Sequence, residues 1–276
     1  MIARTMRYKA LALDLDGTLL TRQETVSARN LRALAAARTA GLQIILASAR
    51  WYQLAERVAR EVGAAAPVVA CSGAQVRRLD DGHDLFDVRL PVEFAQALYA
   101  ICDTQRCIAT VALDEHVLVK LDNAPDASLA PPEMRFTSSL AADADVPPRI
   151  ALVQGSDACR TIEDELSPLW RDSVHFIESI SSRGKPILTL TAMGAHKGVA
   201  LEVACHHLGI AAGQVVVFGD SDNDLEMFRV AGASVAMGQA QEHLRSAATF
   251  VTASNDDDGV AVAIERLLEA GELVAP

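Results

Sequence analysis

Two carboxylates one residue apart, Asp14 and Asp16, stand in ALALDLDGTLL (residues 10–20), after an apolar run and just before Gly17 and Thr18. A second acidic cluster, Gly219-Asp220-Ser221-Asp222-Asn223-Asp224, follows the apolar run QVVVF. Ser48, with Ala49 and Arg50 behind it, follows QIILA, and Lys197 lies in AHKG. Together these groups suit phosphoryl transfer. One carboxylate can attack phosphorus, and a second can protonate the leaving oxygen and then activate water. A hard divalent cation takes carboxylate oxygens. A hydroxyl and an ammonium group can hold the remaining phosphate oxygens.

Each group taken alone has a plainer use. Asp14 to Thr18 is compatible with an Asp-Gly turn, Ser48 with a helix cap and Lys197 with a solvated surface position. Asp220 to Asp224 could be an acidic turn or half of a calcium loop, although the calcium pattern is incomplete. Asp256 to Asp258 reads as a solvated acidic turn. His206 and His207, near a helix end, read as surface or core residues. Arg50 either assists phosphate or cap closure, or forms a structural salt bridge.

The elements that must position these residues favour the joint use. Residues 9–14, 43–47 and 214–218 read as short buried strands. Helices are expected over 28–39, with Ser27 as N-cap, and over 52–62. A third strand is expected over 67–70, which completes β-α-β-α-β, the pattern of a parallel sheet. The clusters at 14–16, 48 and 220–224 each directly follow a strand, so a parallel sheet brings them to one edge. Lys197 opens a helix over 197–208, where backbone N–H groups face an anion. Residues 224–230, 241–247 and 259–270 read as further helices.

Between these halves the rhythm changes. Residues 75–88 read as a hairpin around Asp80-Asp81-Gly82. Helices are expected over 93–102 and 157–166, and strands over 108–111, 116–121, 149–153, 173–179 and 187–191. The Ala-, Pro- and Asp-rich stretch 129–148 reads mainly as loop. The expected fold class is α/β, a Rossmann-like parallel-sheet core (1–85 and 186–276) carrying an inserted α+β domain (86–185).

Composition narrows the partners. The chain has 276 residues, half of them hydrophobic, and a formal charge of −11. That length accommodates one large domain or two modest ones. The charge argues against a nucleic-acid polymer as main partner. No apolar run reaches the ~20 residues of a membrane helix, and the basic start, Met1 to Lys9, is not followed by an unbroken apolar stretch. Five cysteines without a C-x-x-C pair suit a reducing, cytoplasmic setting.

The motifs resemble those of the haloacid dehalogenase (HAD) superfamily of phosphatases. D-x-D-G-T at 14–18 is similar to its motif I, Ser48 stands at motif II, Lys197 at motif III, and GDSDND matches G-D-x-x-N-D of motif IV. VTASNDDDGVA (251–261) is similar to a C-terminal stretch of the Cof-type branch, whose C2 cap (subclass IIB) lies between motifs II and III. Three positions depart from that branch: Ser48-Ala49-Arg50 replaces Thr-Gly-Arg, Ser72-Gly73-Ala74 replaces Asn-Gly-Ala, and His196 replaces Ser.

The resemblance implies a Mg²⁺-dependent phosphomonoesterase with Asp14 as nucleophile and Asp16 as acid/base. Ser48, Ala49 and Lys197 would bind phosphate. Asp14, Asp16 through its carbonyl, Asp220, Asn223 and Asp224 would hold the metal. Arg50 and Thr18 are candidates for substrate or cap contact. The expected substrate is a small phosphorylated metabolite (a sugar phosphate, phosphorylated cofactor or nucleotide) and the expected assembly a monomer or homodimer. The alternatives are a sugar phosphomutase of the same superfamily and a non-catalytic binding or regulatory protein that kept the fold.

Overall fold

The structure, a computed structural model, describes residues 7–121, 130–180 and 186–271. Its contacts divide the chain into two compact units, Met1–Phe86 with His196–Pro276, and Asp87–Ala195.

The first unit begins with β1 (Ala10–Leu13), α1 (Ala28–Thr39), β2 (Gln43–Leu46), α2 (Tyr52–Glu61) and β3 (Val68–Ala70). β1 and β2 pair in parallel, with Ala10 opposite Gln43. Ser27 caps α1 by accepting the Asn30 N–H. β3 was expected to extend this parallel sheet, but it joins β2 only through a parallel bridge, Ala47 to Val69. The chain then reverses through Cys71, Ser72 and Gly73, all at positive φ. β4 (Gln75–Arg77) therefore pairs antiparallel with β3, and β5 (Asp84–Asp87) completes a separate three-stranded sheet.

The second unit contains α3 (Val92–Thr104), β6 (Ile108–Ala112), β7 (Val117–Lys120), β8 (Met134–Thr137), α4 (Leu140–Asp143), β9 (Ile150–Gln154), α5 (Ser156–Glu165), α6 (Ser167–Trp170), β10 (Val174–Ile180) and β11 (Pro186–Ala192). Six strands form one sheet, ordered β10-β11-β9-β6-β7-β8. Phe94 of α3 is fully buried beneath it, edge-on to Trp170 at 5.7 Å and Phe176 at 5.8 Å. The expected junction at Lys185 lies outside the described residues. β11, expected in the core, instead pairs with β10 and β9, so residues 186–195 belong with the second unit. Within the stretch read mainly as loop, β8 adds a strand parallel to β7.

The chain returns to the first unit through α7 (Lys197–Leu208), β12 (Val215–Gly219), α8 (Leu225–Val230), β13 (Ala233–Ala236), α9 (Glu242–Ala247), β14 (Phe250–Val251) and α10 (Gly259–Ala270). The parallel sheet runs β14-β13-β12-β1-β2, which puts β1 between β2 and β12. All four β1 residues are fully buried, as expected for a central parallel strand covered on both faces. Ala10, Ala12, Val215 and Val217 pack in one cluster with Ala200, Leu201 and Ala204 of α7 and Met227 of α8. Alternation turns Leu11 and Leu13 to the other face. α1 and α10 pack against each other.

Candidate active site

Asp14 follows β1 by one residue and extends its ladder, with its N–H donating to the Phe218 carbonyl. Parity with Ala10 and Ala12 turns its side chain to the α7 face of the sheet. There Lys197 Nζ donates to Asp14 Oδ1 at 2.6 Å and to Asp224 Oδ1 at 2.7 Å. Lys197 is 1% exposed and Asp14 5%, so the solvated-lysine use is excluded.

The turns around the pair are built for close approach. Gly17 has φ +78, and a Cβ there would lie 2.3 Å from Asp220 Oδ2. Only glycine gives the left-handed turn and the room together. Gly73, at φ +98, lies where a Cβ would strike the His196 carbonyl carbon at 2.3 Å and the Lys197 nitrogen at 2.7 Å. The turn after β3 is thus seated on the first residues of α7. The same turn holds the Ser48 loop, because Ser72 N–H donates to the Ser48 carbonyl and Cys71 N–H to that of Arg50. Ser48 is fully buried, and its Oγ accepts the Arg50 N–H at 3.1 Å. It does not cap α2, whose N-cap is Trp51. Ala49, between Ser48 and Arg50, is half-buried.

Asp224 organises the other acidic loop. Its Oδ2 accepts the N–H groups of Asp220 and Ser221 at 3.0 and 3.2 Å while Oδ1 holds Lys197. Thr18 is fully buried and its hydroxyl donates to Asp220 Oδ1 at 3.0 Å. It therefore supports the carboxylate rather than offering the expected substrate or cap contact. The Asn223 amide oxygen accepts from Ser221 Oγ at 3.0 Å. Asp16, by contrast, is exposed, and its carboxylate is gripped by Arg50.

One oxygen from each of Asp14, Asp220 and Asp224 can be chosen so that all three lie within 4.8 Å of one another. Three carboxylates here face a single ammonium group. Burial raises the Asp14 pKa; Lys197 opposes this, and Asp224 and Asp220 add to it. Burial pushes Asp220 up to about 6, with Asp224 adding to it against the Thr18 hydrogen bond and Lys197. Burial pulls Lys197 down, but Asp14 and Asp224 outweigh it, so the lysine stays charged. An all-oxygen donor set with excess negative charge fits a hard divalent cation.

Sequence reasoning missed some of the supporting residues. Asn255 Nδ2 donates to the Leu20 carbonyl at 2.8 Å, and Asp256 takes the Arg22 N–H at 2.9 Å and Nε at 3.0 Å. Asp258 accepts from Ser27. The acidic stretch read as a solvated turn therefore fastens the segment after Asp14 to the core. Gln239 adds a bond from Nε2 to the Gly17 carbonyl at 2.5 Å. The similarity of residues 251–261 to a family motif was the available signal for the first of these.

The profile of the haloacid dehalogenase-like hydrolases matches residues 11–264, nearly the whole chain. The chain belongs to the haloacid dehalogenase-like hydrolase family. Among its relatives, the phosphoglycolate phosphatase of Archaeoglobus fulgidus is 29% identical over 94% of this chain and 96% of its own. The 5-amino-6-(5-phospho-D-ribitylamino)uracil phosphatase YitU of Bacillus subtilis is 28% identical over 91% and 94%. A haloacid dehalogenase-like hydrolase from Bacteroides thetaiotaomicron has the same fold, with TM-score 0.82, 28% identity, and 94% and 99% of the two chains covered. This HAD chain has, among its described residues, no helix long and apolar enough to cross a membrane.

Proposed function

We propose that this HAD phosphatase is a Mg²⁺-dependent phosphomonoesterase that passes the phosphoryl group of a small phosphorylated metabolite through Asp14 to water. The observation that carries it is the buried Asp14–Lys197–Asp224 chain beside Asp220 at the C-terminal edge of the sheet.

Lys197 donates to Asp14 Oδ1, opposes the burial that disfavours its charge, and leaves the other oxygen to attack. As that oxygen bonds to phosphorus, the bond to the leaving oxygen breaks and Asp16 gives that oxygen a proton. Asp16 then takes a proton from the water that attacks the aspartyl-phosphate. Its exposure suits contact with both leaving group and water. Ser48, the Ala49 backbone and Lys197 hold the other phosphoryl oxygens. Asp14, the Asp16 carbonyl and Asp220, supported by Asn223 and Asp224, would hold Mg²⁺, which would supply charge compensation for those oxygens.

The relatives' names support a small phosphate ester as substrate. We assign its selection to the unit formed by Asp87–Ala195, acting as a cap. All five cysteines are free thiols, which fits the cytoplasm. The test is phosphate release from a panel of sugar phosphates, phosphorylated cofactors and nucleotides, with Mg²⁺ and with chelator. Turnover only with metal, and phosphate trapped on Asp14, is the expected result. Equal turnover in excess chelator would remove the metal, and a sugar phosphate isomerised without phosphate release would assign a mutase.

A further inference from the structure

Arg50 grips both oxygens of Asp16. Nε donates to Oδ2 at 2.8 Å and Nη2 to Oδ1 at 2.5 Å. The same Nη2 lies 3.2 Å from Glu24 Oε2. Glu24 sits in a tight turn in which its N–H donates to the Thr21 carbonyl and Thr21 N–H to that of Thr25, both at 2.9 Å. Its φ of +58 is left-handed, a conformation that costs a residue with a Cβ and that recurs at functional sites. Two carboxylates, Asp16 and Glu24, thus meet on one guanidinium group.

A general acid must present one oxygen, carrying its proton, to the leaving group, and Arg50 donates to both Asp16 oxygens. The shared donor resolves this. When Nη2 leaves Oδ1 it keeps its contact with Glu24, while Nε keeps Oδ2 and with it the orientation of the carboxyl group. We propose that Arg50 is the positioning residue of Asp16, presetting the carboxyl and yielding Oδ1 to the leaving oxygen as Glu24 takes up Nη2. This rests on Asp16 being the acid/base of the proposed hydrolysis. In the first step the Asp14–phosphorus bond forms and the bond to the leaving oxygen breaks. That oxygen keeps the electron pair and receives the proton from Asp16 Oδ1. The attacking water later returns a proton to Asp16. Arg50 exchanges none.

A ladder of aryl phosphates from p-nitrophenyl to phenyl to p-methoxyphenyl tests this, because shape is nearly constant while the leaving oxygen grows more basic and more dependent on a proton. The readout is kcat/KM, which covers only the steps through aspartyl-phosphate formation. Losing a general acid costs on the order of 10²–10⁴-fold. Asp16→Asn should therefore steepen the dependence on leaving-group basicity. Arg50→Ala should steepen it the same way, costing phenyl phosphate about tenfold or more beyond p-nitrophenyl phosphate. Arg50→Lys, which cannot span two oxygens, should fall between. Glu24→Ala should reproduce a smaller steepening, because Nη2 then has no second acceptor. If Asp16→Asn steepens the ladder and Arg50→Ala lowers every member equally, Arg50 serves phosphate binding or the fold and the inference is wrong. If Asp16→Asn leaves the ladder parallel to wild type, the acid/base reading itself fails. An unchanged Glu24→Ala ladder would remove Glu24 from the exchange.

Discussion

Replacing Asp220 with asparagine should stabilise the metal-free protein, although it removes a proposed metal ligand. Asp220 is half-buried, and its pKa of about 6 stands above an ordinary 3.8 because burial, and then Asp224, disfavour the charge. That gap corresponds to about 3 kcal/mol of penalty on the ionised form in the folded state. The sign follows from the raised value. Relative to an unshifted carboxyl, full stability holds below pH 3.8, falls as pH rises, and the loss is complete once pH has passed about 6. Asparagine is neutral throughout, and its amide oxygen can still accept from Thr18. In excess chelator at pH 8, Asp220→Asn should unfold later than wild type by up to about 3 kcal/mol, several degrees in Tm for a protein of this size. At pH 4 the two should nearly coincide. With Mg²⁺ at pH 8 the order should reverse, because only wild type gains the full linkage energy of binding. Urea and thermal unfolding at the two pH values, with and without metal, decide it. A variant less stable than wild type in chelator at pH 8, or a gain equal at both pH values, would refute the reasoning.

Asp14→Asn should reduce p-nitrophenyl phosphate hydrolysis to background while leaving the fold intact by circular dichroism; more than a few per cent of wild-type rate would remove Asp14 from the nucleophile role. Gly17→Ala should lower both stability and Mg²⁺ affinity, since the new Cβ must displace the Asp220 carboxylate from 2.3 Å and sit at φ +78; titrating activity with Mg²⁺ beside a melt checks it. Lys197→Met should cost roughly 3–5 kcal/mol at pH 8 in chelator by leaving Asp14 and Asp224 buried without a counter-charge. Urea unfolding checks this, and a loss below about 1 kcal/mol would mean the carboxylates had become protonated or solvated.

The strands of the parallel sheet were legible because, buried on both faces, they are continuous apolar runs. The site was legible because Asp14, Ser48 and Asp220 each follow such a run by a residue or two, which fixes them to one edge. What escaped depended on backbone conformation or on contacts between distant segments. Nothing in the letters of Cys71-Ser72 announces two left-handed residues, so the reversal of β4 onto β3 stayed hidden. β8 lay hidden in an Ala- and Pro-rich stretch because its pairing with β7, rather than its own four residues, makes it a strand. The same holds for β11, which reads as a strand but reveals its sheet only through its neighbours. Glu24 carries no motif, and its tie to Arg50 rests on an unusual turn.

The order of the core strands has a consequence for how the chain matures. β1 finds β2 early, but its other neighbour comes late: Ala10 pairs with Val215, 205 positions further on. At synthesis rates of roughly 5–20 residues per second, that edge of the central strand waits roughly 10–40 s for its partner. Asp14 waits equally long for Asp220. The second unit, one uninterrupted stretch from Asp87 to Ala195, is fully synthesised before β12 exists. Its pairings are local compared with that of β1 to β12, and short-range contacts close faster. A ribosome-bound chain halted before Val215 therefore has an open apolar strand edge, the state in which chaperone capture or edge-to-edge aggregation competes with folding. Catalytic competence arrives last, with the segment that closes the sheet.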